Sequence, residues 1–248
     1  MLVNTSRRSE EPEIMDNFSM EGEILRDALD KIASINRLLG GNKVTLQGVK
    51  TLIKNREVFS NNTSKEISIL DVGCGNGDML RSLASYATKN NLQFKLIGID
   101  ANNYTIGHAQ ELSKNYPNIS YVCTDIFNEI EQDRTYDVIL CTLTLHHFKD
   151  PEIFKLMNGF RNQAEMGIVV NDLHRSAVAY YLFLAICFVF RLNKMSKDDG
   201  LVSILRGFKK TDLLSYSKEL DFKKYTIKWK WAFRYQWIIP NSINKNHL

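Results

Sequence analysis

The sequence predicts an α/β protein in which a parallel sheet is covered by helices on both faces. Between residues 67 and 172, apolar segments of strand length alternate with amphipathic segments of helix length. Strands without a polar face are typical of sheets buried on both sides, and this alternation is typical of parallel strands joined by helices. Two further β-rich segments near the C-terminus, "KKYTIKWKWAF" and "RYQWIIP", are close enough to pair antiparallel.

Each element of the central region has its own pattern. The predicted strands are "ISILDVG", "FKLIGID", "NISYVCTD", "YDVILCTLTL" and "MGIVVND". The predicted helices are "DMLRSLASYATKNN", "YTIGHAQELSKNY", "DPEIFKLMNGFRNQ" and, later, "TDLLSYSKEL". In the N-terminal region, the pattern predicts a helix that is capped by Ser19 and ends at Gly40 and Gly41. A shorter helix capped by Thr45 is predicted to follow it. Residues 61–65 have the composition of a linker.

Composition limits the class of protein. The chain has 248 residues and a net charge of +4, which by itself does not indicate nucleic-acid binding. The four cysteines form no CxxC pair and three lie in apolar runs, which predicts buried free thiols in a reducing compartment and no zinc site. The N-terminus lacks the apolar core of a signal peptide, so we expect a cytoplasmic protein.

One apolar segment is a candidate for membrane contact. Residues 177–190, "AVAYYLFLAICFVF", form a run of fourteen uncharged residues. A spanning helix needs about 20 residues, so a buried or interfacial helix is the better interpretation.

The stretch "ILDVGCGNGDML" holds three glycines directly after the first strand. Gly73, Gly75 and Gly77 allow backbone to approach a ligand, but Asp78 stands where a dinucleotide-binding loop has its third glycine. A carboxylate there would repel a pyrophosphate, and Asp71 adds a second carboxylate just before the turn. The loop therefore suits a ligand with a cationic amino group and without phosphate.

With "LDVGCGNGD" the chain resembles the class I S-adenosylmethionine-dependent methyltransferases, over about residues 65–240. The resemblance implies a Rossmann-like, seven-stranded, mostly parallel sheet with an antiparallel last strand and helices on both faces. It implies S-adenosylmethionine as cofactor, released as S-adenosylhomocysteine. It also implies an N-terminal helical lid (residues 1–60), a methyltransferase core (61–248) and, within the core, an apolar helical insertion over the substrate (174–208).

The family's cofactor contacts carry over to the ends of the strands. Asp100 would bind the ribose hydroxyls, Asp125 the adenine amino group with Ile126 and Phe127 around the ring, and Cys141 and Thr142 would line the methionine part. The predicted cofactor pocket comprises Asp71, Gly73, Gly75, Gly77, Asp100, Ala101, Asp125, Ile126, Cys141 and Thr142. In the alternative interpretation, Asp100 and Asp125 only cap the following helices and the glycines only form a turn.

The segment after the fourth strand bears on the substrate. It reads "LTLHHFKDP" and lacks the Asn/Asp-Pro-Pro-aromatic stretch of nucleic-acid amino methyltransferases, so no nucleic-acid partner is expected. It resembles a His-x-aromatic-x-Asp pattern in which the histidine is the general base of some plant O-methyltransferases. His146 falls on that position, and His147 and His174 are further catalytic candidates; no metal is predicted. Arg175, beside His174, could pair with a phenolate or carboxylate of the substrate, or it could form an ion pair with Asp172 that positions the next helix.

These features together predict O-methylation of a phenolic or enolic hydroxyl on a hydrophobic small molecule, in secondary metabolism or quinone synthesis. The resemblance extends to bacterial enzymes of polyketide, phenolic-lipid or quinone methylation. C-methylation of a quinone precursor, a non-catalytic binding protein at a lipid surface and an NAD-dependent oxidoreductase are the alternatives. Lys209 and Lys210, before the last helix, could lie at a membrane surface, which predicts peripheral membrane contact. Whether the apolar segment is lid, core or membrane contact is left open, as is the oligomeric state.

Overall fold

A single seven-stranded sheet organises the protein. The computed structural model describes residues 3–57 and 66–241. The strands are β1 (Ile67–Val72), β2 (Phe94–Asp100), β3 (Ile119–Cys123), β4 (Tyr136–Thr142), β5 (Ala164–Leu173), β6 (Thr226–Lys230) and β7 (Arg234–Pro240). The helices are α1 (Glu23–Leu38), α2 (Gly41–Glu57), α3 (Asp78–Lys89), α4 (Asn103–Leu112), α5 (Ile126–Ile130), α6 (Asp150–Gln163), α7 (Ala177–Val189), α8 (Lys194–Arg206) and α9 (Lys210–Glu219).

The order of strands across the sheet is β3-β2-β1-β4-β5-β7-β6. Strands β1 to β5 pair parallel, β7 pairs antiparallel with β5, and β6 pairs antiparallel with β7. Only β7 therefore runs against the others, which confirms the predicted Rossmann-like sheet. The chain leaves β1 in one direction across the sheet and returns to β4 on its other side, and the crevice at such a switch point is the usual ligand site of open α/β sheets.

Both faces of the sheet are buried because alternate residues of the apolar strands point to opposite sides. Ile69 packs in a cluster with Val49 and Leu52 of α2, while the next residue, Leu70, packs in a second cluster with Phe160 of α6. The helix α2 thus covers the sheet directly. The sheet forms the rigid floor on which the loops at its carboxyl edge are positioned.

The two N-terminal helices do not begin at the residues predicted to cap them. Ser19 is bonded to the side chain of Asn17, and α1 begins at Glu23 after Gly22, whose φ is +96°. Thr45 lies inside α2, which starts at Gly41. Both predicted caps are wrong because a hydroxyl residue is a cap only where the chain leaves the helical conformation. The predicted linker and the boundary at residue 60 lie outside the described residues.

The apolar segment 177–190 forms α7, which is only partly buried. Ala179 and Cys187 are buried, whereas Val178, Phe188 and Val189 are exposed. The helix α8, which no sequence pattern predicted, packs beside it. No helix of residues 3–57 and 66–241 is long and apolar enough to cross a membrane. All four cysteines are free; Cys74, Cys141 and Cys187 are buried, but Cys123 is exposed, contrary to the prediction.

Candidate active site

A large cavity of about 960 Å³ lies at the carboxyl edge of the sheet. Its floor is formed by the loops after β1, β2, β3, β4 and β5, and its roof by α1, α7, α8 and the N-terminal segment before α1. All the predicted site residues line this cavity except Gly77 and Cys141. The cavity has a donor half, at the carboxyl ends of β1 to β4, and an acceptor half, between the N-terminal segment, α7, α8 and the turn before β7.

The glycine loop at the donor half requires glycine for two reasons. Gly73, Gly75 and Gly77 all have positive φ, which side chains disfavour. A Cβ on Gly73 would also lie 2.5 Å from the side chain of Thr144, and a Cβ on Gly77 would lie 2.0 Å from the Tyr121 hydroxyl. Gly77 therefore packs against Tyr121 and does not line the cavity, while Gly73 and Gly75 line it.

The two carboxylates beside this loop have different surroundings. Asp78 is paired with Arg37 and accepts a hydrogen bond from Asn42 Nδ2 at 2.6 Å, so its charge is already compensated. Asp71 is 2% exposed, and its Oδ1 has no hydrogen-bond partner within residues 3–57 and 66–241. Burial, together with the charge of Asp100, raises the pKa of Asp71 to about 8. Of the two, Asp71 is the carboxylate available to a cationic amino group.

Asp100 is the last residue of β2, and Asp125 follows the end of β3. Each carboxylate also accepts hydrogen bonds from nearby backbone. Asp100 accepts backbone N–H groups from Gly75 at 3.2 Å and from Asn102 at 3.0 Å. Burial raises the pKa of Asp100 despite these bonds. Asp125 caps α5 by accepting the Phe127 N–H at 2.7 Å. The capping interpretation therefore holds for Asp125, while α4 is capped by Asn102 instead of Asp100.

The remaining predicted cofactor residues separate into two groups. Ala101, Ile126 and Thr142 line the cavity, and the Thr142 hydroxyl lies 3.0 Å from the Thr45 hydroxyl of α2. Cys141, the residue of β4 before Thr142, is fully buried in the hydrophobic core. Successive strand residues point to opposite faces, so adjacent positions 141 and 142 cannot both present side chains to the same space.

His146 is held between two carboxylates. Its Nδ1 lies 2.7 Å from Asp172 Oδ1, and its Nε2 lies 3.5 Å from Glu13 Oε1. All three side chains are buried. Burial alone would lower the pKa of His146, but the charges of Asp172 and Glu13 raise it to about 9. His146 is therefore an imidazolium at neutral pH while Glu13 stays in place.

His147 belongs to a second ion-pair group in the roof of the cavity. Its Nδ1 lies 2.6 Å from Asp16 Oδ1, and Arg206 Nη1 lies 2.7 Å from Asp16 Oδ2. Burial would raise the pKa of Asp16, but hydrogen bonds from His147 and Arg206 hold it well below its usual range. The N-terminal segment is bound further by Asp199 of α8, which accepts the N–H groups of Ile14 and Met15.

His174 has an aromatic environment at the acceptor half. It lines the cavity, stacks near Phe233, and accepts a hydrogen bond from Trp229 Nε1 at 3.3 Å. Burial, with the charges of Lys209 and Arg175, lowers the pKa of His174. The predicted Asp172–Arg175 pair is wrong: Asp172 pairs with His146, and Arg175 pairs with Asp212 at 3.0 Å.

Several residues at the site were not predicted from sequence. Glu13, Asp16 and Arg206 lie far along the chain from the histidines they contact, and no local pattern indicates such contacts. For Asp172 there was a signal, since a carboxylate ends the apolar run "MGIVV" at a point where strand ends gather.

One group of side chains has the composition of a metal site. Glu13, His146 and His147 each offer a ligand atom, and these atoms lie within 4.8 Å of one another. In the described arrangement, His147 Nδ1 is bonded to Asp16, and a proton on His146 Nε2 compensates the Glu13 charge. The absence of a metal stays a prediction.

Comparison with known proteins gives the family. Residues 69–167 match a family described as a methyltransferase domain. Ubiquinone biosynthesis O-methyltransferase from Rickettsia typhi is 31% identical over 211 residues, which cover 80% of this chain and 78% of the relative. The protein of the same name from Rickettsia conorii is 31% identical over 51% of this chain and 41% of its own length.

Solved structures share the fold at low sequence identity. The plantazolicin methyltransferase BpumL, in complex with a triazolic desmethylPZN analog and S-adenosylhomocysteine, has a TM-score of 0.64 at 19% identity and covers 88% of this chain and 90% of its own. The plantazolicin methyltransferase BamL has a TM-score of 0.65 at 15% identity, with 87% and 91% coverage. The sequence relationship and the fold together show that the chain belongs to the class I methyltransferases that use S-adenosylmethionine as cofactor.

Proposed function

We propose that the enzyme transfers a methyl group from S-adenosylmethionine to a phenolic or enolic hydroxyl of an apolar small molecule. The observation that carries this proposal is the buried His146–Asp172 pair in the wall of a largely apolar cavity, next to the glycine loop. A polyketide, a phenolic lipid or a quinone precursor has the required combination of an acidic hydroxyl and an apolar body.

The donor half has the groups that S-adenosylmethionine needs. The unpartnered Asp71 would meet its amino group, Asp100 the ribose, Asp125 and Ile126 the adenine, and Thr142 the methionine part. A Cβ at Gly73 would lie 2.5 Å from Thr144, another residue of the cavity wall, so glycine is needed to keep these two parts of the wall in place. When bound, the cofactor supplies an electrophilic methyl group on a sulfonium sulfur. A cation beside Asp71 would also lower the raised pKa of that carboxyl.

His146 would remove the proton from the acceptor hydroxyl. Its Nδ1–H donates to Asp172, which leaves Nε2 to receive a proton from the substrate. A phenol has a pKa of about 10. The pKa of about 9 holds for His146 while Glu13 faces Nε2, and departure of Glu13 would lower it and free Nε2 for the phenol proton. Glu13 now faces Nε2 and would have to yield this place to the hydroxyl. His147 and His174 stay secondary candidates.

The relatives favour oxygen over carbon as the acceptor atom. The R. typhi protein is named an O-methyltransferase of ubiquinone biosynthesis, and it covers most of this chain. Transfer to a ring carbon beside a phenolate would use the same deprotonation by His146 and is the second candidate. Mass spectrometry of the product distinguishes a methoxy group from a ring methyl group.

The roof of the cavity would act as the substrate-covering part, with residues 1–60 and 174–208 over a core of 61–248. Ion pairs of Asp16 and hydrogen bonds to Asp199 tie the N-terminal segment to α8 and support joint movement. The exposed apolar residues of α7, near the exposed Arg191 and Lys194, would lie against an anionic membrane surface that supplies an apolar substrate. Sedimentation with anionic vesicles tests this contact.

The cofactor proposal is tested by calorimetry with S-adenosylmethionine and S-adenosylhomocysteine. We expect micromolar binding to the wild type and at least tenfold weaker binding to Asp100→Asn. The exposed Asp133→Asn is the matched control and should bind as the wild type does. Equal affinity of Asp100→Asn and the wild type would show that the Asp100 carboxylate does not bind the cofactor.

The base proposal is tested by the pH dependence of kcat/KM for a phenol. The neutral imidazole is the active form, and its fraction increases as pH approaches the pKa of about 9. We expect the rate to rise with pH up to that value and then level off. A rate that is constant between neutral pH and this value would contradict a base with the pKa of His146.

A further inference from the structure

Arg234, the first residue of β7, is a buried cation whose side chain has no partner in the part of the chain that the structure describes. It is 4% exposed, and both Nε and Nη1 of its guanidinium are buried without a hydrogen bond. No carboxylate among the described residues lies within the 4.0 Å of an ion pair. The other buried arginines of the described residues donate hydrogen bonds to protein acceptors. Arg175, for example, donates to the Gly207 carbonyl and to Asp212.

The sheet register directs Arg234 to the acceptor half of the cavity. It lies opposite Leu173 of β5 and Lys230 of β6, and residues opposite one another in an antiparallel pair share a face. Lys230 and Gln236 on that face donate to Gln47 and Val44 of α2. Arg234 lies beside Lys230 and two residues before Gln236, opposite the last residue of β5, and it lines the cavity with Trp231 and Phe233.

Arg234 is also the only Lys or Arg among the described residues that line the cavity. Burial lowers the pKa of its guanidinium to about 10, which leaves it charged at neutral pH. Asp172 contributes a favourable charge but is fully engaged with His146 and backbone N–H groups. A buried charge without a partner is costly, and a planar guanidinium in an apolar wall is matched by a carboxylate.

We infer that Arg234 binds a carboxylate of the methyl acceptor, so that the substrate class is an aromatic acid with a hydroxyl group and an apolar tail. The carboxylate would anchor the acid end at β7 and is not itself methylated. This inference rests on the proposed function, since it describes the acceptor of the same reaction. Arg234 was not predicted from the sequence, because an arginine at the start of a strand has no local signal.

The test compares two probes that differ only in a carboxyl group. Olivetolic acid is a pentyl-substituted dihydroxybenzoic acid, and olivetol is the same phenol without the carboxyl. Their affinities are measured by calorimetry in the presence of S-adenosylhomocysteine, and methyl transfer is measured in parallel. We expect the wild type to bind the acid at least tenfold more tightly, Arg234→Met to lose this preference, and Arg234→Lys to keep part of it.

Lys95→Met, which removes a positive charge from the exposed side of β2, is the control and should keep the preference. Unchanged affinity of Arg234→Met for S-adenosylhomocysteine shows that this variant is folded. Equal affinity of the wild type for both probes, or binding of neither, overturns the inference. Weaker binding of S-adenosylhomocysteine to a folded Arg234→Met also overturns it, because the guanidinium would then serve the cofactor carboxylate. Selective binding of the acid without any methyl transfer would support the Arg234 site while contradicting the proposed acceptor chemistry.

Discussion

Asp100 on the donor half of the cavity accepts two backbone N–H groups, from Gly75 and Asn102. The guanidinium of Arg234 on the acceptor half, by contrast, has no hydrogen-bond partner among the described residues. The donor half is built from loops that directly follow strands, and its polar groups are positioned by nearby backbone. The acceptor half is built by segments from both ends of the chain, and its charged groups lie in a mostly apolar wall. This difference suits a constant cofactor on one side and a chain-specific substrate on the other.

The largest expected effect is a loss of kcat on substitution of His146, with cofactor binding at the donor half retained. His146→Gln should lower kcat for a phenol by about 10²–10⁴-fold, because a positioned general base contributes about that much. Binding of S-adenosylhomocysteine should stay within threefold of wild type, measured by calorimetry. His108→Gln is the control, since His108 is also buried and paired with a carboxylate, Asp30, but does not line the cavity. Equal kcat for His146→Gln and His108→Gln would exclude His146 as the base.

A glycine pair tests the donor half. Gly73→Ala would place a Cβ 2.5 Å from Thr144 at a positive φ, so we expect at least tenfold weaker cofactor binding and a lower free energy of unfolding, by about 1–2 kcal/mol. Gly107→Ala in α4 has nothing within 4 Å of its Cβ and should raise the free energy of unfolding by about 0.5–1 kcal/mol. Urea unfolding and calorimetry measure both effects. Normal cofactor binding by Gly73→Ala would contradict close approach at this glycine.

The pH dependence of stability tests the ion pairs at the acceptor half. The pKa of His146 is raised from 6.5 to about 9, so its stabilising contribution is complete below 6.5 and is lost as pH rises through 9. The pKa of Glu13 is lowered from 4.5, with burial opposing and His146 causing the decrease, so its contribution is lost as pH falls below that value. The free energy of unfolding should therefore decrease between about pH 6 and about pH 10, by about 3 kcal/mol for His146.

Urea unfolding of wild type and His146→Gln at both ends of this range provides the measurement. The variant lacks the titrating imidazole, so its stability should change less over the same range. A variant that loses as much stability as the wild type would show that His146 is not held by Glu13 and Asp172 as described.

The smallest effect is expected from metal removal. Activity should be unchanged by a chelator, because His146 carries a proton between Glu13 and Asp172, and His147 is bonded to Asp16. Loss of activity on chelation, restored by zinc or magnesium, would show that the cluster of Glu13, His146 and His147 holds a cation.

Much of the fold followed from the sequence for a physical reason. The inner strands of the sheet are buried along most of their length, while the edge strands β3 and β6 are largely exposed. Hydrophobic periodicity is a local property, so β1 to β5 and the antiparallel β7 were predictable. The glycine loop and Asp100 were predictable because chain order places strand ends at one edge of the sheet. Ser19 and Thr45 were mistaken for caps because capping depends on backbone conformation, which residue type alone does not set.

The sequence by itself determined the class of protein, the cofactor loop and the histidines after β4. Only the tertiary structure decided their chemistry. Asp16 meets His147 across 131 residues, and Glu13 meets His146 across a similar separation, so both pairings depend on how the N-terminal segment folds over the sheet. The carboxylates of Asp172 and Glu13 then make His146 a charged group, and burial makes Asp71 a weak acid. The guanidinium of Arg234 is left facing the cavity without a hydrogen-bond partner among the described residues. Such shifts arise from desolvation and long-range contacts, which residue order does not record.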